Sequence, residues 1–147
     1  MKRTVSISLV VFLVTQCYSL RASAQDLPYK EGTVWDIAFV STKPGMKNDY
    51  LKSLAANWRR IHEEAKKQGL ILSYRILSGA AANEKDWDVM LMTEYKDMAA
   101  LDGFEEKWGA LQSRIFGSQQ DVTTIYTKQG EMRKILGEKT VREVILK

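Results

Sequence analysis

The hydrophobic pattern of the chain first switches from the two-residue period of a strand to the longer period of a helix. Residues 33–40 are β-branched and aromatic and are followed by the turn sequence Lys43-Pro44-Gly45, so they predict a first strand. The next segment predicts a helix that Gly69 ends, because its apolar residues recur three or four positions apart. Those residues are Leu51, Leu54, Trp58, Ile61 and Ala65. Residues 71–77 then predict a second strand.

The second half of the chain repeats this succession with one addition. Residues 78–86 have a loop composition, and residues 87–95 predict a third strand. Asp97 is a suitable N-cap for a second helix that Gly117 ends. Its apolar stripe comprises Leu101, Phe104, Trp108, Leu111 and Ile115. A further helical stretch is predicted from Val122, Ile125, Tyr126, Met132 and Leu136, interrupted by Gly130 and closed by Gly137. Residues 141–146 predict the last strand.

The order of these elements defines a fold class. It is strand, helix, strand, strand, helix, extra helix and strand, which is the split βαββαβ unit of the ferredoxin-like arrangement. The sequence therefore predicts an α+β domain with an antiparallel four-stranded sheet, an extra helix before the last strand, and both main helices on one face of the sheet.

Both faces of the predicted sheet are apolar. A sheet with one wet face should alternate between apolar and polar residues, yet here only Asp36 interrupts the second face of the first strand. The apolar residues on the two faces of that strand are Trp35, Ile37 and Phe39, and Val34, Ala38 and Val40. In the third strand Trp87, Val89 and Leu91 alternate with Met90 and Met92. Because the helices cover only one face, the sequence predicts a homodimer that packs sheet to sheet.

The first 24 residues predict a secretory signal peptide. Lys2 and Arg3 precede an apolar run at residues 5–14, which is about half the length that spans a bilayer. Ala22-Ser23-Ala24 places small residues where signal peptidase recognises them, so we expect cleavage between Ala24 and Gln25 and a periplasmic or secreted protein. Gln16 precedes Cys17 where a lipobox requires a small residue, which argues against lipidation. Residues 25–32 are predicted to form an N-terminal arm and residues 33–147 one domain.

The composition and charge of the chain argue against some classes of binding partner. Apolar residues make up 45% and charged residues 27% of the 147 residues, which indicates a soluble globular domain. Three of the 22 basic residues and none of the 18 acidic residues lie in the leader, so the formal charge falls from +4 to +1 after cleavage. We therefore expect no nucleic-acid partner and no membrane association after cleavage. Basic residues at 59–60 and 66–67 alternate with Glu63 and Glu64 at i,i+4 spacing, which is typical of a solvated helix face.

Most signatures of catalysis are missing from the sequence. No glycine-rich phosphate loop follows a strand, and no GxSxG sequence presents a serine. The one histidine and the absence of cysteine after cleavage leave too few ligands for a zinc site, and we expect no metal and no cofactor. The four tryptophans lie at strand and helix spacing, which indicates core packing more than a cofactor box.

Four residues are candidates for a functional site. His62, which titrates near neutrality, follows Trp58 by one helical turn and lies at the edge of the apolar stripe, a boundary position. It is either a weak catalytic candidate that points into a cleft or a structural residue. Asp36 and Arg75 are charged residues within apolar strands, where each needs a partner or contact with water. Asp36, Trp58, His62 and Arg75 are therefore the predicted ligand-binding residues.

The chain resembles the dimeric α/β-barrel proteins of ferredoxin-like fold over residues 33–147. The resemblance rests on the Lys43-Pro44-Gly45 turn after the first strand, the helix with Trp58, the hairpin, and the closing Leu136-Gly137 and Val141-Arg142-Glu143-Val144. This group includes antibiotic-biosynthesis monooxygenases, haem-degrading enzymes, lactone isomerases and stress-responsive barrels, so membership does not define a function. The resemblance implies ligands in the cleft between helix and sheet. Haem-degrading members use a histidine on the second helix, and this sequence has none there.

Two functions follow as expectations. The first is an exported homodimeric protein that binds a small, mostly apolar molecule or has a structural role. The alternative is a cofactor-independent monooxygenase or isomerase, in which His62 is the general base and Arg75 or Asp36 orients a polar group of the substrate. The two differ in whether His62, Asp36 and Arg75 face one cavity.

Overall fold

The structure, a computed structural model, describes residues 27–147; the predicted signal peptide and its cleavage site lie outside the described residues. The strands are β1 (Tyr29–Thr42), β2 (Ser73–Ser78), β3 (Val89–Tyr95) and β4 (Arg133–Leu146). The helices are α1 (Lys47–Ser53), α2 (Arg59–Lys67), α3 (Phe104–Phe116) and α4 (Gln119–Met132), with a π-helical segment (Leu54–Trp58) joining α1 to α2 and a 3-10 helix (Met98–Leu101) before α3. None of the helices described between residues 27 and 147 is long and apolar enough to cross a membrane.

The sheet has the predicted topology. Its four strands lie in the order β2-β3-β1-β4, and each neighbouring pair is antiparallel. With a helix between β1 and β2 and two helices between β3 and β4, this is the ferredoxin-like α+β fold, so the predicted fold class is confirmed.

The first residues of β1 and β4 differ from the sequence prediction. β1 begins at Tyr29, within the predicted arm of residues 25–32, and β4 begins at Arg133 instead of at residue 141. The helical stretch predicted up to Gly137 therefore ends at Met132, and Leu136 and Gly137 belong to the strand. The cause is the backbone pairing between two strands of 14 residues each, which extends from Thr42 opposite Arg133 to Tyr29 opposite Leu146. Long-range pairing of this kind overrides a short apolar period.

The helix after β1 ends as predicted and contains a feature that the sequence did not reveal. Gly69 adopts a φ of +70°, and the amides of Gly69 and Leu70 donate to the carbonyls of Lys66 and Ala65, which is a glycine C-cap. The π-helical segment Leu54–Trp58 adds a residue to one turn in the middle of this helix. Such π turns often occur beside functional sites.

The next helical region is divided into two. Asp97 accepts a hydrogen bond from the amide of Ala100, as predicted for a capping residue, but the cap begins only the short 3-10 helix. Gly103, with a φ of +65°, separates this turn from α3, which ends before Gly117 as predicted. Ser118 and Asp121 then form a capping box that begins α4.

The helices cover one face of the sheet, where they form two hydrophobic clusters. The first cluster joins Val34 and Tyr95 of the sheet to α2 and α3, and its buried members are Val34, Ile61, Ala65, Ile71, Tyr95 and Leu111. The second joins Val40 and Val89 to α1 and the π-helical segment, and its buried members are Val40, Tyr50, Leu54 and Val89. The other face of the sheet carries no helix from the described part of the chain, and its apolar side chains are half-buried: Trp35, Ile37, Phe39, Met90 and Met92.

Candidate functional site

A cavity of about 560 Å³ opens between the sheet and the helices, where the two hydrophobic clusters meet. Its walls come from β1, β3 and β4 on one side and from the π-helical segment, α2, α3 and α4 on the other. Six aromatic side chains line it: Trp58, Tyr95, Phe104, Trp108, Phe116 and Tyr126. The site is therefore a mostly apolar cleft in the position that the resemblance implied.

His62 lies in the wall of this cavity and is only 3% exposed. Its Nδ1 atom is 2.8 Å from the Trp58 carbonyl oxygen, and its Nε2 atom is 3.1 Å from the Thr93 hydroxyl oxygen. Because a carbonyl oxygen can only accept, this arrangement requires a proton on Nδ1, and the Thr93 hydroxyl then donates to Nε2. Both ring nitrogens are satisfied within the protein.

Burial also controls the protonation of His62. Desolvation lowers the pKa of the imidazole from 6.5 to about 4, and the hydrogen bond to the Trp58 carbonyl opposes this only in part. His62 is thus neutral at physiological pH. The prediction that His62 lies at the edge of the apolar stripe, in a boundary position, is wrong: its side chain is buried between α2 and β3.

Aromatic rings surround the imidazole. The ring of Trp58 stacks on His62 with centroids 3.6 Å apart, and the rings of Trp108 and Tyr74 approach at centroid distances of 5.1 Å and 5.4 Å. Trp108 in turn stacks on Phe104 at 5.3 Å. One helical turn separates Trp58 from His62, so their stacking follows from the helical geometry of α2 and its preceding π-helical segment. These rings form an aromatic wall of the cavity in which Trp58 is stacked on His62 and Trp108 meets it edge-on.

Asp36 also faces the cavity and has polar partners. Its Oδ1 atom accepts a hydrogen bond of 2.5 Å from the Thr140 hydroxyl of β4. Burial raises the pKa of the Tyr95 hydroxyl well above its ordinary value, and the charge of Asp36 and a side-chain hydrogen bond to it raise the pKa further. Asp36, Thr140 and Tyr95 therefore form a polar group at one side of the cavity.

Arg75 lies outside the cavity, on the face of the sheet that carries no helix. Its guanidinium carbon is 5.3 Å from the centroid of the Trp35 ring, which is a cation–π contact. The reason is the alternation of side chains along β2: Tyr74 and Ile76 pack among the helices, so Arg75 between them points the other way. The structure brings three of the four predicted residues together, namely Asp36, Trp58 and His62, and separates Arg75 from them.

Several polar residues of the cavity were not predicted. Gln129 on α4 is 4% exposed, and its amide nitrogen lies 3.3 Å from the Ser53 hydroxyl; the amide of Asn57 donates to the Ser53 carbonyl at 3.1 Å. Gln129 lies four residues after Ile125 and three before Met132, so it is a polar residue at a position where the apolar stripe of α4 should continue. This mismatch was the sequence signal from which Gln129 could have been predicted as a site residue. Arg133 gave no signal, because the sequence placed it in a helix.

Among residues 27–147 no group of three or more histidine, cysteine or carboxylate side chains is arranged to hold a metal ion. The cavity instead offers an aromatic wall, one polar group around Asp36, and further polar side chains from α4 and the start of β4. These features can enclose and orient an organic molecule of small size.

No protein-family model matches the chain, and no curated protein matches it significantly. Several solved structures are similar in fold. One is a dimeric ferredoxin-like protein from an uncultured marine organism, with 15% identity and a TM-score of 0.48 over 80% of this chain and 90% of that one. A protein from Shewanella oneidensis has 14% identity and a TM-score of 0.49 over 80% and 98% of the two chains. A dimeric ferredoxin-like protein of unknown function from Thermobifida fusca has 12% identity and a TM-score of 0.44 over 82% and 97%.

At this level of similarity the matches carry no argument about activity or assembly. The class of protein is defined by the chain's own sheet order and element order, which are ferredoxin-like. Within that class the chain has an aromatic cavity between helices and sheet, and its role has to be inferred from that cavity.

Proposed function

We propose that this protein is exported, forms a homodimer through the uncovered face of its sheet, and binds a small, mostly apolar molecule in the cavity between sheet and helices. The observation that carries the binding function is the cavity itself. Its volume of about 560 Å³ falls in the range of small-molecule sites, and its lining is aromatic with a few polar groups.

A cavity of this size is not an ordinary packing defect. Protein interiors are packed as densely as organic crystals, and an unfilled space in the core lowers stability in proportion to its volume. We infer that the space is retained for a ligand.

The alternative function, a monooxygenase or isomerase, would use His62 as general base. A base of this kind needs an imidazole nitrogen that is free to accept a proton from the substrate. Here Nδ1 contacts the Trp58 carbonyl and Nε2 accepts from Thr93, and the pKa is lowered to about 4. We therefore do not propose the enzymatic function.

The homodimer is proposed from the uncovered face of the sheet. Trp35, Ile37, Phe39, Met90 and Met92 are neighbours on β1 and β3, and none of them belongs to the two hydrophobic clusters that pack against the helices. A monomeric protein rarely exposes such a patch. A second copy of the chain offers the same surface, so a twofold interface would cover both patches at once. On this proposal the face that carries the helices binds the ligand, and the opposite face binds the second copy.

Export is proposed from the leader sequence. Cleavage between Ala24 and Gln25 is expected to release the protein into the periplasm or the medium. N-terminal sequencing of protein recovered from outside the cytoplasm tests this. A sequence that starts at Gln25 supports the proposal, and a sequence that starts at Met1 or at a lipidated Cys17 contradicts it.

Binding is tested with neutral bicyclic aromatic compounds, 2-naphthalenemethanol among them. Because Trp58 and Trp108 line the cavity, occupancy should quench tryptophan fluorescence in a saturable way and raise the melting temperature. Ala38 faces the cavity, so Ala38→Phe should fill it and weaken binding at least about tenfold. Ala110→Phe on the exposed side of α3 is the matched control and should bind as the wild type does. If none of these bicyclic compounds shows saturable binding up to millimolar concentration, the proposal is contradicted.

A further inference from the structure

Arg133, the first residue of β4, lies in the wall of the cavity and has a partly buried guanidinium group. The side chain lines the cavity, and its guanidinium carbon lies 5.7 Å from the centroid of the Tyr50 ring. Its Nε atom is buried and has no hydrogen-bond partner among residues 27–147. A buried donor without a partner is costly, and that cost is greater for a charged group.

No carboxylate of residues 27–147 lies within ion-pair distance of Arg133. Other arginines show what such a partner looks like: Arg114 lies 2.7 Å from Glu64, and Arg142 is paired with Glu31. Two acids do line the same cavity. Asp36 is engaged by Thr140 and Tyr95, and Glu138 lies five residues further along β4, about 16 Å away at the rise of a strand.

The surroundings of Arg133 favour an anion that is itself partly buried. Tyr50 is completely buried, and its hydroxyl lies beside the Arg133 guanidinium. Burial raises the pKa of that hydroxyl, and the charge of the nearby guanidinium opposes the increase. The buried amide of Gln129 lines the cavity as well. Arg133 and Gln129 therefore supply hydrogen-bond donors to the mostly apolar cavity.

We propose that the ligand of this cavity carries a carboxylate, which the Arg133 guanidinium binds, and a flat apolar body, which lies against Trp58 and Trp108. The proposal rests on the proposed binding function. A guanidinium offers two parallel donors that match a carboxylate, and such charge-assisted bonds are about twice as strong as neutral ones. One guanidinium balances one negative charge, so a monocarboxylate fits this site better than a dianionic phosphate.

The experiment compares two probes that share one ring system. 2-Naphthoate carries a carboxylate, and 2-naphthalenemethanol carries a neutral hydroxymethyl group in its place. The wild type should bind 2-naphthoate at least about tenfold more tightly than 2-naphthalenemethanol, as measured by titration calorimetry near neutral pH. A higher salt concentration should weaken the naphthoate complex more than the other.

Two variants assign this preference to Arg133. Arg133→Gln should bind both probes with nearly equal affinity, because the preference for the carboxylate is lost. Lys134→Gln removes the same charge from the neighbouring, exposed residue and should keep the full preference. Arg133→Lys retains the charge without the paired donors and should keep only part of the preference for 2-naphthoate. This variant tests the role of Arg133 if Arg133→Gln does not fold.

The outcomes separate this inference from the proposed function. If the wild type binds both probes equally, or if Arg133→Gln keeps the preference for 2-naphthoate, the carboxylate site is wrong while the binding function stands. If the wild type binds neither these probes nor any of the neutral compounds, both proposals are wrong. If Lys134→Gln lowers the affinity for 2-naphthoate as much as Arg133→Gln does, the preference reflects overall charge and the assignment to Arg133 is overturned.

Discussion

The Nε2 atom of His62 lies 3.1 Å from the Thr93 hydroxyl, so a hydrogen bond joins α2 to β3 across the wall of the cavity. Both residues are buried, with 3% and 9% of their surface exposed. A second bond, from Nδ1 to the Trp58 carbonyl, fixes the ring to its own helix. His62 therefore stabilises the position of the aromatic wall, and its main role in the free protein is structural.

His62→Ala should destabilise the protein substantially. The variant removes a buried ring that stacks on Trp58, leaves a space in its place, and leaves the Thr93 hydroxyl without its acceptor. We expect a loss of about 2 to 4 kcal/mol in the free energy of unfolding, measured with urea. Lys66→Ala on the exposed side of α2 is the control and should change stability by less than about 0.5 kcal/mol. A His62→Ala variant as stable as this control would contradict the structural role.

The low pKa of His62 predicts how stability depends on pH. The unfolded chain binds a proton at this residue below about pH 6.5, whereas the folded protein binds it only near pH 4. Protonation thus favours the unfolded state between these values, and stability is lost as the pH falls. We expect His62 to account for a loss of about 2 to 3 kcal/mol between pH 7 and pH 4.5.

His62→Gln isolates this effect, because the carboxylates titrate equally in both proteins. The wild type should therefore lose more stability than His62→Gln over this range, and above pH 7 the difference in stability between the two proteins should no longer change with pH. Urea unfolding at several pH values measures it. Parallel curves for the two proteins would show that the buried imidazole is protonated as readily in the folded state as in the unfolded state.

The sequence predicted those parts of the fold that depend on local signals. Gly69 and Gly117 ended helices as expected, and Asp97 capped the turn that follows β3. The start of β4 could not be predicted in this way, because residues 133–137 form a strand only through their pairing with β1. Their apolar spacing is compatible with a helix, and the partner strand is nearly a hundred residues away in the sequence. Non-local pairing decides such a segment.

The site was predicted only in part for a related reason. Asp36 and His62 attracted notice as polar residues in apolar patterns, and both line the cavity. Arg75 attracted notice on the same grounds, but a strand pattern alone does not show which face of a two-sided apolar sheet is covered by helices. Arg133 could not be assigned to the cavity from the sequence, because the helical stretch was predicted to continue past it, whereas α4 ends at Met132.

Two glycines near α4 should respond to the same substitution with opposite signs. Gly130 lies within α4, and an added Cβ would meet no atom within 4 Å, so Gly130→Ala should raise stability by about 0.5 to 1 kcal/mol. Gly117 has a φ of +97°, and its Cβ would lie 3.0 Å from an Asp121 carboxylate oxygen of the capping box. Gly117→Ala should therefore lower stability by about 1 to 2 kcal/mol. Thermal unfolding of the two variants measures both effects, and a change of the same sign in both would contradict the assigned backbone geometry.

Met92→Asp should dissociate the proposed homodimer while preserving the fold of each subunit. Met92 lies on the uncovered face between Ile37 and Arg75, which are its neighbours on β1 and β2. In a single subunit the new carboxylate can contact both Arg75 and water, whereas in a sheet-to-sheet dimer it would be desolvated at a cost of several kcal/mol. The dimer dissociation constant should rise by at least about a hundredfold. Light scattering at micromolar concentration should then show dimers for the wild type and for Ala110→Asp on the exposed side of α3, and monomers with a native circular dichroism spectrum for Met92→Asp. A wild type that is monomeric under these conditions, or a Met92→Asp variant that stays dimeric, would refute association through this face.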